Sequence, residues 1–195
     1  MTPVKRGDNH MATRSIEAPD SHFLNAAIGW LELGDHGEAK VELDRISFLT
    51  RYHPDVLLVR WKVFARFKNW TRSLDIARAL VRIAPDKPTG WICLAYSLYN
   101  TRQATESWNQ LVMAEKRFPG ISAIPYFLAC LACQLGKTTE ATRWLSRWNE
   151  MVKESDAKDA ARKDPRLKPI WHEFEEALLG STVSRSATVT PPPSV

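Results

Sequence analysis

The feature that most constrains this chain is a pattern over residues 88–121 that returns at a fixed interval of 34 residues. It reads Trp91-x2-Leu94-Ala95-x2-Leu98, then Ser107-x3-Leu111, then Ala114 and Pro119. Shifting the register by its own length gives 20–53, 54–87 and 122–155 without a gap. Ala27, Trp61, Ala95 and Ala129 hold the small-residue slot of the first half, and Ala39, Ser73, Ser107 and Ala141 that of the second. Four residues beyond the second slot stand Leu43, Ala77, Leu111 and Leu145. Apolar residues recur at i, i+3, i+4 and i+7, as in Leu57, Trp61 and Phe64, which is the spacing of one helical face. A pair of short amphipathic helices cannot bury its apolar surface alone, so successive pairs must stack. The pattern therefore predicts an all-α solenoid of helix–turn–helix repeats.

Punctuation agrees with the register. Gly34 and Gly136 occupy one turn slot between paired helices, where glycine adopts positive φ without cost. Pro54 and Pro88 share a register and mark helix starts, where a missing N–H is harmless. Pro85 and Pro119 close the second helices. One repeat departs: Trp61 fills a small-residue slot and Arg60 the apolar slot before it. Either the first helix of 54–87 is rotated, or Ser73 makes room for the indole.

The flanks follow from composition. Residues 1–19 are polar and aperiodic and are expected to be disordered, with Met11 an alternative start. Lys158–Asp164 reads as a charged connector. Pro165–Leu179 reads as one further helix, with Leu167, Ile170, Trp171, Phe174 and Leu178 on a stripe. A stack leaves its last apolar face open, here Trp144, Leu145, Trp148 and Val152, so residues 156–179 are assigned as connector and capping helix. Residues 180–195, with Pro191-Pro192-Pro193, are expected to be a disordered tail.

Function classes narrow next. Three cysteines make no disulfide framework, no secretory signal appears, and the longest apolar run, 123–133, is too short to span a bilayer. The chain is expected to be cytoplasmic, with no membrane role. Its net charge of +5 is unevenly placed: residues 54–87 carry eight basic groups against three acidic, while 20–53 carry three against six. The positive excess therefore sits in one repeat. Cys130-Leu131-Ala132-Cys133 lies mid-helix, away from the first turn where a redox thiol is activated, and has no second pair for zinc. His10, His22, His36, His53 and His172 form no ligand pair. No phosphate loop, nucleophile elbow or paired-carboxylate signature is present. The chain reads as a non-enzyme with no metal site and no cofactor.

Over residues 20–155 the chain resembles the tetratricopeptide repeat family. Trp70 with Pro85, Trp91, Tyr126-Phe127-Leu128-Ala129-Cys130, Gln134-Leu135-Gly136 and Asp164-Pro165-Arg166-Leu167-Lys168-Pro169-Ile170-Trp171 resemble small bacterial proteins of four such repeats plus a closing helix. Those relatives have no assigned activity. The resemblance implies a right-handed superhelix whose first helices line a concave, peptide-binding groove. Its lining slots fall on Leu24, Asn25, Ile28, Leu31 and Glu32; on Leu58, Val59, Lys62, Ala65 and Arg66; on Ile92, Cys93, Tyr96, Tyr99 and Asn100; and on Tyr126, Phe127, Cys130, Cys133 and Gln134. The candidate site is Asn25, Lys62, Arg66, Ile92, Tyr96, Tyr99, Asn100, Tyr126 and Gln134. Where chaperone-binding members hold a carboxylate clamp, this chain has Leu24, Ile28, Cys93, Ala123 and Phe127, which disfavours capture of a chaperone tail. The expected function is an adaptor that binds a partner protein's peptide segment, acidic and with apolar anchors. A secretion-type chaperone is the alternative. RNA binding through the basic second repeat is disfavoured, because no base-reading pair recurs per repeat.

Overall fold

The computed structural model describes residues 15–172 and 174. These hold α1 (Asp20–Glu32), α2 (His36–Arg45), α3 (Pro54–Arg66), α4 (Trp70–Ile83), α5 (Pro88–Asn100), α6 (Ala104–Arg117), α7 (Ala123–Gln134), α8 (Thr138–Met151) and α9 (Ser155–Arg162). A 3-10 turn follows at Lys168–Ile170, and no strand occurs among the described residues. The second helices begin at His36, Trp70, Ala104 and Thr138, each 34 residues after the last. The first helices begin at Asp20, Pro54 and Pro88 on the same interval, and α7 starts one residue beyond it. The fold is the all-α helix–turn–helix repeat that the sequence period predicts. No helix among the described residues is long and apolar enough to cross a membrane.

One turn, used four times, holds this register at the backbone. Gly34 and Gly136 have φ of 83° and 71°, and Lys68 and Arg102 take 55° and 63° at the equivalent slot. After each of them one amide reaches back across the turn: Asp35 to Trp30 O at 2.8 Å, Asn69 to Phe64 O at 2.9 Å, Gln103 to Leu98 O at 2.9 Å and Lys137 to Ala132 O at 2.8 Å. This is the Schellman arrangement, which satisfies orphan carbonyls and requires a left-handed residue. The next helix starts at once. Asp35 Oδ1 accepts from Glu38 N at 3.0 Å and Asn69 Oδ1 from Arg72 N at 3.2 Å, so both residues serve as N-caps. The turn is readable in the sequence only where it holds glycine. At Lys68 and Arg102 the fold imposes it on side chains that resist it.

The described residues divide into two compact units, the first ending at Gln110 and the second beginning at Leu111, inside α6. In the first unit, α1, α2 and α3 enclose Leu24, Ala27, Leu43, Ile46, Val56, Val59 and Val63. Leu57 on α3 joins a second cluster, with Leu74, Ala77 and Leu80 of α4 and Cys93, Leu94 and Leu98 of α5. Thus α3 buries two faces, as a helix between two neighbours must. Ala27, Ala39, Ser73, Ala95 and Ser107 are all buried, as their small-residue slots require. Serine fits there because its hydroxyl finds a carbonyl: Ser107 Oγ donates to Ala95 O at 2.7 Å and Ser73 Oγ to Asn69 O at 3.0 Å. In the second unit Leu128, Ala129, Ala141 and Leu145 are fully buried where α7 packs on α8. Each such leucine contributes about 1.5–3 kcal/mol of apolar burial.

Trp61 and Arg60, out of pattern in the sequence, both have partners. Trp61 Nε1 donates to Ser97 Oγ on α5 at 2.9 Å, while the Ser73 hydroxyl stays within α4. Arg60 reaches back to α2, where Nη2 donates to Leu43 O at 2.6 Å and Nη1 lies 3.7 Å from Asp44. A cation there satisfies a last-turn carbonyl and opposes the negative end of the α2 dipole.

The flanks differ from expectation in three places. Residues 165–170, expected to open one further helix, form a turn followed by the 3-10 turn at Lys168–Ile170. The charged connector is helical: α9 carries Asp156 in its first turn and Arg162 in its last, with Asp159 and Arg162 3.8 Å apart. Its alanines supply propensity, and its charges suit the dipole. At the other end Ile16 packs against the first core cluster, so the segment expected to be disordered to residue 19 is engaged from there. The described part of the assigned cap has Leu167, Ile170 and Phe174 buried, as are Leu145, Trp148 and Val152 in and after α8. Residues 175–179 of that cap, the segment 1–14 and the tail 180–195 lie outside the described residues.

Candidate functional site

In the first unit the expected lining comes from α1, α3 and α5, of which α3 packs on both others. Lys62 and Arg66 are exposed one turn apart on α3, and Asn25 is exposed on α1. Ile92, Tyr96, Tyr99 and Asn100 on α5 are half-buried. The slots do not all face solvent, since Leu24, Val59 and Cys93 are 7%, 4% and 3% exposed and belong to the cores. A helix packed on both sides has only a narrow free stripe, and those three slots fall outside it.

The half-buried residues are not equivalent. The Tyr96 ring stands edge-on to Trp61 at 6.0 Å and to Trp70 at 5.7 Å, closing an aromatic cluster across α3, α4 and α5. Asn100 Nδ2 donates to Tyr96 O at 2.8 Å, one turn earlier in its own helix. Among the described residues the Tyr99 hydroxyl has no hydrogen-bond partner. Tyr99 is therefore the aromatic of this stripe with the fewest structural commitments.

In the second unit Tyr126 serves packing. Its hydroxyl donates to Asp164 Oδ2 at 2.5 Å, its ring lies 5.3 Å from Trp148, and the Arg166 guanidinium stands 5.9 Å from its centroid. Arg166 grips the same carboxylate, with Nη2 at 2.5 Å and Nε at 3.0 Å from Asp164 oxygens. The Arg166 bonds hold the Asp164 carboxyl down at about 2, and the bond to Asp164 in turn raises the Arg166 pKa. Burial, then the Asp164 bond, raises the Tyr126 phenol above its ordinary range. The Asp164–Arg166 pair thus locks α7 to the segment after α9. Its signal in the sequence was the Asp-Pro-Arg step, legible as a motif but not as a partner for Tyr126. Cys130 is 3% exposed, whereas Gln134, at the end of α7, is exposed.

Burial pushes the Cys93 and Cys130 thiols up to about 12 and raises Cys133 as well, so thiolate is suppressed at all three. No group of three or more His, Cys, Asp or Glu among the described residues is arranged to hold a metal ion. The positive surplus of the second repeat is also dispersed. Arg60 binds Leu43 O, Arg72 stands 5.7 Å over Phe64, and Arg78 lies 3.9 Å from Asp75. Lys62 and Arg66 are left as the exposed cations of the stripe.

No family model matches the chain, and no curated protein matches it. Its fold is nevertheless shared with solved structures. MamA from Desulfovibrio magneticus RS-1, in a form running from residue 41 to the end, superposes with a TM-score of 0.62 at 17% identity, covering 68% of this chain and 75% of that one. A second MamA structure superposes with a TM-score of 0.64 at 11% identity, covering 89% of this chain and 98% of its own. At such identities the likeness is one of fold, and MamA is a helical repeat protein of the tetratricopeptide type.

Proposed function

We infer that this chain is a non-enzymatic adaptor that binds a peptide segment of a partner protein along the free stripe of its first helices. The observation that carries this reading is the composition of that stripe in the first unit. Among the described residues the exposed Lys62 and Arg66 have no hydrogen-bond or ion-pair partner, and neither has the hydroxyl of the half-buried Tyr99 on the adjoining helix. Tyrosine and arginine are the side chains that carry most of the energy in protein recognition. The shared fold supports an interaction scaffold, and the suppressed thiols leave no nucleophile among the cysteines. Lys62 and Arg66 orient an acidic group, and Ile92 with Tyr99 supplies apolar area.

The test is capture of a partner by the full chain, followed by affinity measurement with variants. Tyr99→Ala is expected to weaken binding by about 2 kcal/mol with an unchanged thermal midpoint. Lys62→Glu with Arg66→Glu is expected to slow association and flatten its salt dependence. Unchanged affinity in both variants overturns the assignment of the stripe.

A further inference from the structure

We propose a second binding site on the opposite side of α3, where a carboxylate of an acidic peptide from a partner protein docks between Arg51 and Arg72, with an apolar side chain beside it. The site is a cleft of about 700 Å³ made by α2, the segment after it, α3 and α4. Arg51, Arg60 and Arg72 line it together with Tyr52, Phe64 and Ile76. None of these belongs to the stripe of Lys62 and Arg66, so the two sites are separable.

Three guanidinium groups in one cleft need a reason. Arg60 has one, since it binds the end of α2 through Leu43 O and approaches Asp44. Arg51 and Arg72 have none of that kind. Among the described residues neither is paired with a carboxylate, and their guanidinium carbons stand over aromatic rings, Arg51 at 4.9 Å from the Phe48 centroid and Arg72 at 5.7 Å from that of Phe64. The Nε atoms of Arg51 and Arg60 are buried and have no hydrogen-bond partner. Buried donors without acceptors are uncommon and costly, and like charges gathered in one cleft repel. Burial lowers the Arg60 pKa, and the Arg51 charge contributes to that lowering. An entering carboxylate answers the crowding of charge, because it neutralises the guanidinium groups that line the cleft and offers them acceptors.

The walls decide which anion. Asp44 and Asp75 also line the cleft and offset two of its four cations, Asp44 pairing with Lys40 at 2.7 Å, so the positive surplus that is left suits a single carboxylate better than a dense polyanion such as a nucleic-acid backbone. Phe64 and Ile76 give an apolar neighbour a place to rest, and Tyr52, 56% exposed, lines the cleft with them. A peptide with a glutamate or aspartate beside a leucine or phenylalanine fits this arrangement.

The test uses the full chain and a fluorescent short peptide that alternates glutamate and leucine, with a glutamine–leucine peptide and single-stranded polyuridylate as comparison probes. Arg60 is left alone because it holds α2. The glutamate peptide is expected to bind, and Arg51→Gln with Arg72→Gln to weaken it by about tenfold or more, as loss of charged partners does. Lys62→Gln with Arg66→Gln is expected to leave this affinity within about twofold, because those side chains lie elsewhere on α3. Thermal melts of both variants show whether the fold is retained. The proposal is overturned if the glutamine peptide binds equally, or if both double variants weaken binding alike, which is non-specific attraction. It is also overturned if polyuridylate binds through Arg51 and Arg72 while the peptide does not. Loss of partner binding at Lys62 and Arg66 with no effect here, or the reverse, tells the failure of one site from that of the other.

Discussion

The four repeated turns permit a test in which backbone conformation alone decides the sign of a mutation. A Cβ added at Gly29, Gly34 or Gly136 meets nothing within 4 Å, so packing drops out. Gly34 and Gly136 have φ of 83° and 71°, whereas Gly29 lies inside α1. Placing a side chain in the left-handed region costs about 1–2 kcal/mol. Alanine recovers roughly 0.4–1 kcal/mol by restricting the unfolded chain, which leaves a net loss of about 1 kcal/mol for Gly34→Ala. Inside the helix the same substitution gains about 1 kcal/mol at Gly29. Two Gly→Ala changes in the same unit should therefore differ by about 2 kcal/mol with opposite signs. Lys68→Gly and Arg102→Gly should reverse the turn effect and gain about 0.5 kcal/mol, strain relief less the added entropy of glycine. Urea unfolding followed by helical circular dichroism measures all of these, with thermal midpoints moving about 2–4 °C per kcal/mol. Should Gly34→Ala match or exceed the parent while Gly29→Ala does not, the left-handed turn is not what limits this register.

Three further outcomes follow from single contacts. Trp61→Phe and Ser97→Ala should each destabilise the first unit, and their double-mutant cycle should show coupling of about 1 kcal/mol, the worth of the 2.9 Å indole–hydroxyl bond; independence of the two would remove Ser97 as the reason Trp61 is accommodated. Asp164 has a folded pKa of about 2, below its unfolded value near 4, so its contribution is present above pH ~4 and lost as the pH falls toward 2. Asp164→Asn should therefore flatten the acid limb of stability against pH, and an unchanged limb would show that the Arg166 pair contributes nothing there. A 20–155 fragment should self-associate in sedimentation, because Leu145, Trp148 and Val152 are buried in the full chain and the fragment loses Leu167, Ile170 and Phe174; a monodisperse fragment of equal stability would refute the cap.

Much of the fold was readable because it repeats. A 34-residue period repeats each constraint four times, so a single ambiguous slot such as Trp61 could not obscure it. The helix starts at Pro54 and Pro88, the buried Ala27, Ala129 and Ala141, and the turns at Gly34 and Gly136 all appear in the structure where the register puts them. The site was less legible. Lys62 and Arg66 are exposed, whereas Tyr126 is held by Asp164, which lies 38 residues away. Tyr96 is held by rings from two other helices. Periodicity states which side of a helix a residue occupies, and it is silent on what the next layer brings against that side.

The sequence by itself determined the helical period, the pairing of short helices and the small residues at their crossings, because these depend on spacing within one or two turns. Only the tertiary structure decided which groups are spent and which are free. Arg60 is spent on the carbonyl of Leu43 and Ser97 on the indole of Trp61, while Arg51 and Arg72 meet no carboxylate among the described residues. These outcomes depend on distances between helices far apart in the chain. A buried hydrogen bond or an unmatched charge is fixed by what packing brings alongside it, and the local pattern of residues carries no record of that neighbour.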